Sequence, residues 1–173
     1  MGIFRSLLAL FAQVQMSSLP EENVWDYPRP AVLEKFVGTL KIIDHGKVVA
    51  ETTNAYRVLE TSHPPTYYVP SQDVNMQLFS QNARQTMCEW KGRAAYWDYN
   101  GGVGTIRNAA WCYEVPTAPF TEIRGYLSFY AQFFEECFVN EEKVLPQEGD
   151  FYGGWITSNL KGPMKGGPGT MGW

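Results

Sequence analysis

The residue with the clearest capacity for chemistry is a histidine in a proline-rich loop. His63 follows Glu60 by three positions and precedes Pro64 and Pro65. Two prolines restrict the loop, so an imidazole held there is positioned at low entropic cost, which is typical of a binding site. The structural alternative is that His63 satisfies a loop carbonyl or stacks on Tyr67.

A second cluster, residues 88–92, reads Cys-Glu-Trp-Lys-Gly. The glycine lets the chain bend, which would bring Lys91 back towards Cys88, and a nearby ammonium favours the reactive thiolate. Cys88 as nucleophile and His63 as base, with Glu60 positioning the base, would then form a catalytic arrangement. The alternative is a core cysteine beside a core tryptophan, because free cysteines are usually buried.

Aromatic residues accompany these polar groups and predict an aromatic-lined pocket. In the stretch 109–113, Ala-Ala-Trp-Cys-Tyr, small residues beside the rings leave room for another ring or for a flat ligand. The alternative is that these rings simply form the core. The predicted ligand-binding residues are Arg57, Tyr67, Tyr68, Trp90, Trp111 and Tyr113.

Composition excludes several classes of function. The 173 residues carry a net charge of −4, which argues against general nucleic-acid binding. The three cysteines include no Cys-x-x-Cys pair, so we expect no metal site, no disulfide framework and a reducing, cytoplasmic compartment. No P-loop motif is present, and the match to G-x-G-x-x-G at 167–172 is followed only by Trp173, so we expect no cofactor.

The elements that must position these residues are predicted to be β-strands. Runs at 36–43 and 48–52 flank Asp-His-Gly-Lys and predict a hairpin. Ser71 is predicted to cap one helical turn, residues 76–79 a short strand, and Asn-Gly-Gly at 100–102 the strongest turn.

Composition along the chain predicts one β-rich domain with extended ends. Residues 1–22 are expected to be a leader or frayed amphipathic segment, with an apolar run too short for stable membrane insertion. Residues 23–37 form an aromatic-proline strap and 38–145 the core domain. Residues 146–173 form a glycine-aromatic tail that we expect to pack on the core.

Six clusters in order carry a family resemblance. They are 25–30 (Trp-Asp-Tyr-Pro-Arg-Pro), 57–65 (Arg-Val-Leu-Glu-Thr-Ser-His-Pro-Pro), 67–70 (Tyr-Tyr-Val-Pro), 88–92, 109–113 and 151–155 (Phe-Tyr-Gly-Gly-Trp). Together they resemble the long form of the family called domain of unknown function 427, most closely its cyanobacterial members. The resemblance implies a small β-tent-like domain of antiparallel strands with short helices and extended N- and C-terminal straps. Zinc sites of that fold class need paired cysteines, which are absent here.

Three functions remain open from the sequence. The first is a binding module that takes a small molecule or a peptide in the aromatic-lined pocket. The second is an enzyme that uses Cys88 with His63, with Lys91 as an electrostatic aid. The third is a structural or assembly protein that docks through its terminal straps, with a homodimer among its partner states.

Overall fold

The computed structural model describes residues 19–173, so most of the expected leader lies outside the described residues. The described chain is mainly β, and the predicted fold class is confirmed. No helix within this part is long and apolar enough to cross a bilayer.

The strands of the described part are mostly short. They are β1 (Glu22–Asn23), β2 (Val32–Lys35), β3 (Leu40–Asp44), β4 (Lys47–Thr52), β5 (Tyr56–Leu59), β6 (Thr66–Tyr68), β7 (Phe79–Cys88), β8 (Gly92–Gly102), β9 (Gly104–Tyr113), β10 (Leu127–Phe129), β11 (Glu136–Val139), β12 (Glu142–Lys143), β13 (Leu145–Pro146), β14 (Trp155–Ile156) and β15 (Leu160–Lys161). Short 3-10 helices occur at Val24–Asp26, Ser71–Asp73, Met76–Leu78, Ala118–Ile123 and Ala131–Phe133.

Three antiparallel sheets form the body. Their strand orders are β10-β9-β8-β7, β12-β11-β3-β4 and β2-β5-β6. The predicted hairpin is confirmed, because β3 pairs with β4 through a turn in which His45 and Gly46 both have positive φ. Val69 and Leu127 exchange two backbone hydrogen bonds of 2.8 Å, which join the end of β6 to β10.

Three clusters of buried side chains form the interior, of which the smallest contains Val24, Tyr27, Leu59 and Leu160. The largest one contains Leu40, Ile42, Tyr67 and Trp155, and the second contains Tyr68, Trp111 and Tyr113. Neighbouring residues of a strand point to opposite faces, so Tyr67 and Tyr68 of β6 enter different clusters. The second cluster lies against the cavity described below.

Three local predictions were wrong. Ser71 begins a 3-10 turn, but the N-cap is Pro70 and no side chain caps the turn. Residues Met76–Leu78 form a 3-10 helix, and the strand begins only at Phe79. The Asn-Gly-Gly segment lies inside β8, where Gly101 leaves the space that the ring of Tyr99 occupies. The chain therefore reverses one residue later, at Val103.

The N-terminal strap and the C-terminal tail pair with each other and with the body. Strand β1 runs parallel to β15, and the indole N–H of Trp25 donates to the carbonyl of Pro163 at 2.8 Å. Trp155, which is 1% exposed, donates from Nε1 to the carbonyl of Phe129 at 2.9 Å. Its ring lies 5.6 Å from that of Tyr67, so it joins the tail to the main core.

Trp155→Ala is therefore expected to lower the free energy of unfolding by about 3–5 kcal/mol, because it leaves a large cavity in the core. The measurement is urea unfolding followed by circular dichroism. Met171→Ala is the control, since Met171 lies in the same tail but is 83% exposed, and a change within about 0.5 kcal/mol is expected. Equal effects of the two substitutions would show that the tail is not part of the cooperative unit.

Candidate functional site

A cavity of about 360 Å³ opens beside the second core cluster. This volume is within the range of small-molecule sites. Its wall combines residues from β5, the loop after it, the turn between β7 and β8, strands β6, β8 and β9, and the tail. The lining residues are Val58, Glu60, His63, Thr66, Tyr68, Thr86, Met87, Cys88, Glu89, Trp90, Lys91, Tyr96, Trp111, Tyr113, Tyr130, Gln147, Phe151, Tyr152, Gly153 and Lys165.

The cavity brings together eight of the ten predicted site residues. They are Glu60, His63, Tyr68, Cys88, Trp90, Lys91, Trp111 and Tyr113. The other two, Arg57 and Tyr67, are not among the lining residues. Successive residues of a strand point to opposite faces of the sheet. Val58 and Tyr68 line the cavity, so their neighbours Arg57 and Tyr67 point away from it.

Arg57 has a structural partnership instead. Its guanidinium donates to Glu22 at 3.0 and 3.1 Å and to Glu34 at 2.5 Å. The hydroxyl of Tyr27 donates to the same carboxylate of Glu22. Arg57 therefore joins β5 to β2 and to the strap, and Tyr67 lies in the main core.

The loop that carries His63 is held from both ends of the chain. The backbone N–H of Ser62 donates to the carbonyl of Val24 at 2.9 Å, and Thr61 bonds to the carbonyls of Tyr27 and Pro28. The carbonyl of Ser62 accepts from the N–H of Lys165 at 2.8 Å. Ser62 takes a positive φ of 69°, an uncommon conformation for a non-glycine residue that these contacts maintain.

Gln147 determines which nitrogen of His63 carries the proton. Its Oε1 accepts from the N–H of Gly154 at 3.0 Å, and its Nε2 donates to the carbonyl of Lys165 at 2.6 Å. These two bonds fix the amide orientation, so the contact of 3.1 Å between Nε2 and His63 Nδ1 is a donation to the imidazole. The neutral ring then carries its proton on Nε2, for which residues 19–173 provide no hydrogen-bond partner.

The environment also keeps His63 neutral. Burial is the main cause and lowers the pKa of His63 to about 4, while the carboxylate of Glu60 acts in the opposite direction. The cations Lys165, Arg29 and Lys91 reinforce the lowering. At neutral pH, His63 is therefore a hydrogen-bond donor through Nε2–H and a weak base.

The sequence predicted that Glu60 orients His63, but the side chain of Glu60 has other partners. Its Oε1 accepts from Nε1 of Trp90 at 3.2 Å and lies 4.0 Å from Nε of Arg29. Trp90 lies in the turn after β7. Two carbonyl groups of this turn, those of Trp90 and Lys91, accept hydrogen bonds from Thr117. Gln147, on the tail, is the residue that hydrogen-bonds His63.

Tyr68 contributes a second unused donor. Its side chain is 0% exposed, and its hydroxyl has no hydrogen-bond partner in the described part of the chain. Burial strongly raises the pKa of Tyr68, and the nearby indole of Trp111 acts weakly in the opposite direction. An indole N–H only donates, so it cannot accept the phenol proton.

Basic side chains already cover three rings of the cavity wall. Arg84 lies 4.9 Å from the ring centre of Tyr96, Lys91 lies 5.8 Å from that of Tyr113, and Lys165 lies 5.6 Å from that of Tyr152. Lys91 and Lys165 belong to the wall, which also contains Glu60 and Glu89, and Arg84 lies beside it.

Several lining residues were missed by the sequence predictions. Gln147, Tyr152 and Lys165 come from the tail, and Tyr96 and Tyr130 come from the body. For part of the tail, the sequence did contain a signal, the Phe-Tyr-Gly-Gly-Trp cluster. Its Gly153 lies against Trp111 of the cavity wall, where any side chain would overlap the ring. No comparable signal marks Gln147 or Lys165.

One group of metal-ligand type occurs elsewhere in the described residues. Donor atoms of Asp44, His45 and Glu135 lie within 4.8 Å of one another. The Asp44 carboxylate already accepts from His45 at 2.7 Å, from the hydroxyl of Tyr99 at 2.8 Å and from the N–H of Glu135 at 3.1 Å. This cluster stabilises the hairpin turn, and it includes no residue of the cavity wall.

The two histidines are expected to titrate on opposite sides of pH 6.5, which NMR of the imidazole groups can measure. The pKa of His63 lies at about 4, whereas the hydrogen bond to Asp44 raises the pKa of His45. Long-range ¹H–¹⁵N spectra should show the Nε2–H form of His63, and His45→Asn assigns the signals. An Nδ1–H form, or a pKa of His63 above 6, would contradict the arrangement with Gln147.

Stability should follow the same titration. Between about pH 4 and pH 6.5 the unfolded chain binds a proton at His63 that the folded chain does not. The contribution of neutral His63 is therefore complete above pH 6.5 and is lost as the pH falls towards 4.

A comparison with protein families finds a match over most of the β-rich body. The family model described as "Domain of unknown function (DUF427)" matches residues 32–140. A search of the curated proteins finds no match. The matched range includes His63, Cys88 and Trp111 but ends before the tail residues of the cavity wall.

Proposed function

This chain belongs to the DUF427 family, a domain family of unknown function, and we propose that it is a binding module for a small molecule held in the aromatic-lined cavity. The observation that carries the proposal is one buried donor without a partner, the Tyr68 hydroxyl, in a wall that also presents the Nε2–H of His63. An unsatisfied buried polar group costs about 1–3 kcal/mol, and a ligand that accepts these hydrogen bonds would recover that cost.

A small molecule is favoured over a peptide because of the shape of the site. A cavity of about 360 Å³ encloses one compact group, and the aromatic wall provides apolar contact on several sides. Met87 and Phe151 also line the site with exposed side chains. A peptide would therefore occupy the cavity by inserting a single side chain.

An enzyme built on Cys88 and His63 has less support. Both residues line the cavity, and Cys88 is a half-buried free thiol. A general base must offer a free lone pair near the operating pH, whereas His63 accepts from Gln147 at Nδ1 and has a pKa of about 4.

A reducing, cytoplasmic compartment remains part of the proposal, because all three cysteines are unpaired.

The assembly function also has less support. Trp25 and Trp173 lie 5.5 Å apart, and Trp155 is buried in the core. These residues therefore have aromatic or core contacts within the chain, although Trp25 stays 42% exposed. A homodimer remains a prediction from the sequence.

The binding function is tested with Tyr68→Phe, which removes only the unpartnered hydroxyl. We expect the free energy of unfolding to stay constant or to rise, because no internal hydrogen bond is lost. A library of planar fragments screened by thermal shift should yield stabilising compounds, and their dissociation constants should rise about 5- to 10-fold in Tyr68→Phe.

Tyr67→Phe is the matched control, since Tyr67 is the neighbouring tyrosine but faces the main core. Its substitution should leave the dissociation constants unchanged. If no fragment stabilises the wild-type chain, or if both substitutions have the same effect on binding, the cavity is not the ligand site.

Cys88 is expected to be dispensable for binding. Cys88→Ala should retain the same ligands, and iodoacetamide should modify Cys88 no faster than an ordinary accessible thiol. Cys112 and Cys137 are internal references, because burial raises the pKa of both thiols and slows their alkylation. Alkylation of Cys88 at least 100-fold faster than a free thiol, and slowed by His63→Gln, would favour the enzyme instead.

A further inference from the structure

We infer that the ligand carries an anionic oxygen group, a carboxylate or a phosphate, on a planar apolar body. This inference rests on the proposed binding function and specifies the chemistry of its ligand. It follows from the hydrogen-bond donors and acceptors of the cavity wall, from the positions of basic side chains and from the partners of the nearby carboxylates.

Two buried residues of the wall present donors without a partner in the described part of the chain. Nε2–H of His63 and the hydroxyl of Tyr68 are unpaired, and the two residues are 7% and 0% exposed. The matching acceptor must therefore come from the ligand. An anionic oxygen group offers several lone pairs to such donors, and hydrogen bonds to an ionised acceptor are stronger than those to a neutral one.

Apart from the two carboxylates, several of the surrounding acceptors and hydroxyl groups are already engaged. Oε1 of Gln147 accepts from Gly154 at 3.0 Å, and the hydroxyl of Tyr130 donates to the carbonyl of Phe151 at 3.1 Å. The hydroxyl groups of Thr86 and Tyr96 bond to each other at 3.0 Å. A ligand that brings mainly donors would find few free partners in this wall.

Basic side chains argue against the other ligand class that suits an aromatic box, a quaternary ammonium or methylated amine. Such a cation needs vacant ring faces. Here the rings of Tyr96, Tyr113 and Tyr152 already carry Arg84, Lys91 and Lys165. A cationic ligand would meet these charges, whereas an anion would be attracted by them.

The carboxylates of the wall do not reverse this field. Glu60 is bonded to Trp90 and lies 4.0 Å from Arg29, so its charge is offset within the protein. Glu89 also lines the cavity but is exposed to solvent, where its charge is screened. With the Arg29–Glu60 pair set aside, Lys91 and Lys165 of the wall and Arg84 beside it remain against Glu89. Nζ of Lys165 also donates to the carbonyl oxygen of Trp173 at 2.9 Å.

The experiment compares head groups on a constant body. For phenyl, naphthyl and indolyl bodies, the probes are the carboxylate, the phosphate monoester, the neutral carboxamide and the trimethylammonium derivative. Dissociation constants are measured by calorimetry and ligand-observed NMR at low and high salt. We expect the carboxylate or the phosphate to bind at least about 10-fold more tightly than the carboxamide, with a preference that salt weakens.

Two lysine substitutions locate the effect. Lys165→Met should weaken binding of the anionic probe about 3- to 10-fold and leave the carboxamide unchanged. Lys161→Met is the matched control, because Lys161 lies in the same tail but is exposed and pairs with Glu21 at 3.9 Å. It should leave both probes unchanged.

The outcomes separate the two proposals. If the carboxamide or the ammonium probe binds as tightly as the anions, the anionic class is overturned and the cavity remains a binding site. If the anionic probe binds but Lys165→Met and Lys161→Met act alike, the inferred placement of the charge is wrong. If none of the probes binds at millimolar concentration, the binding function itself is overturned.

Discussion

The arrangement of the site depends on one buried amide. Gln147 accepts from Gly154, donates to the carbonyl of Lys165 and donates to His63, so its side chain joins three separate segments. Each of those bonds satisfies a group that would otherwise be buried without a partner. The same amide holds the tail against the His63 loop and turns the imidazole into a donor. The hydrogen bonds that hold the folded tail therefore also determine the protonation of His63 in the site.

Strand alternation explains which residues reached the cavity. On β5 and β6, Val58 and Tyr68 face it, while Arg57 and Tyr67 face the other side. The half-buried ion pair of Arg57 with Glu22 therefore joins β5 to β1 without placing a guanidinium in the cavity. The hydroxyl of Tyr68 is left without any partner on the cavity side.

Much of this could be predicted from the sequence. Local patterns were sufficient for the β class and for the hairpin, because the turn chemistry of Gly46 acts over a few residues. The convergence of His63, Cys88 and Trp111 followed from recognisable clusters. Contacts between distant segments were not predictable in this way. The role of Gln147 depends on the folded tail. The Asn-Gly-Gly segment was a wrong prediction of a different kind, because its turn-forming residues continue β8, where Gly101 leaves the space that the ring of Tyr99 occupies.

The cavity wall is divided between the body and the tail, and the two parts have separate roles in the proposed binding function. The family-matched range, residues 32–140, contributes most of the rings and therefore the apolar volume. The tail contributes Gln147, which sets the proton of His63, and Lys165, which adds positive charge. Apolar volume alone discriminates poorly between flat molecules of similar size, whereas oriented donors and charges discriminate strongly. In the proposed binding function, the rings of the body select a flat molecule, and Gln147 and Lys165 of the tail select its charge and hydrogen-bonding groups.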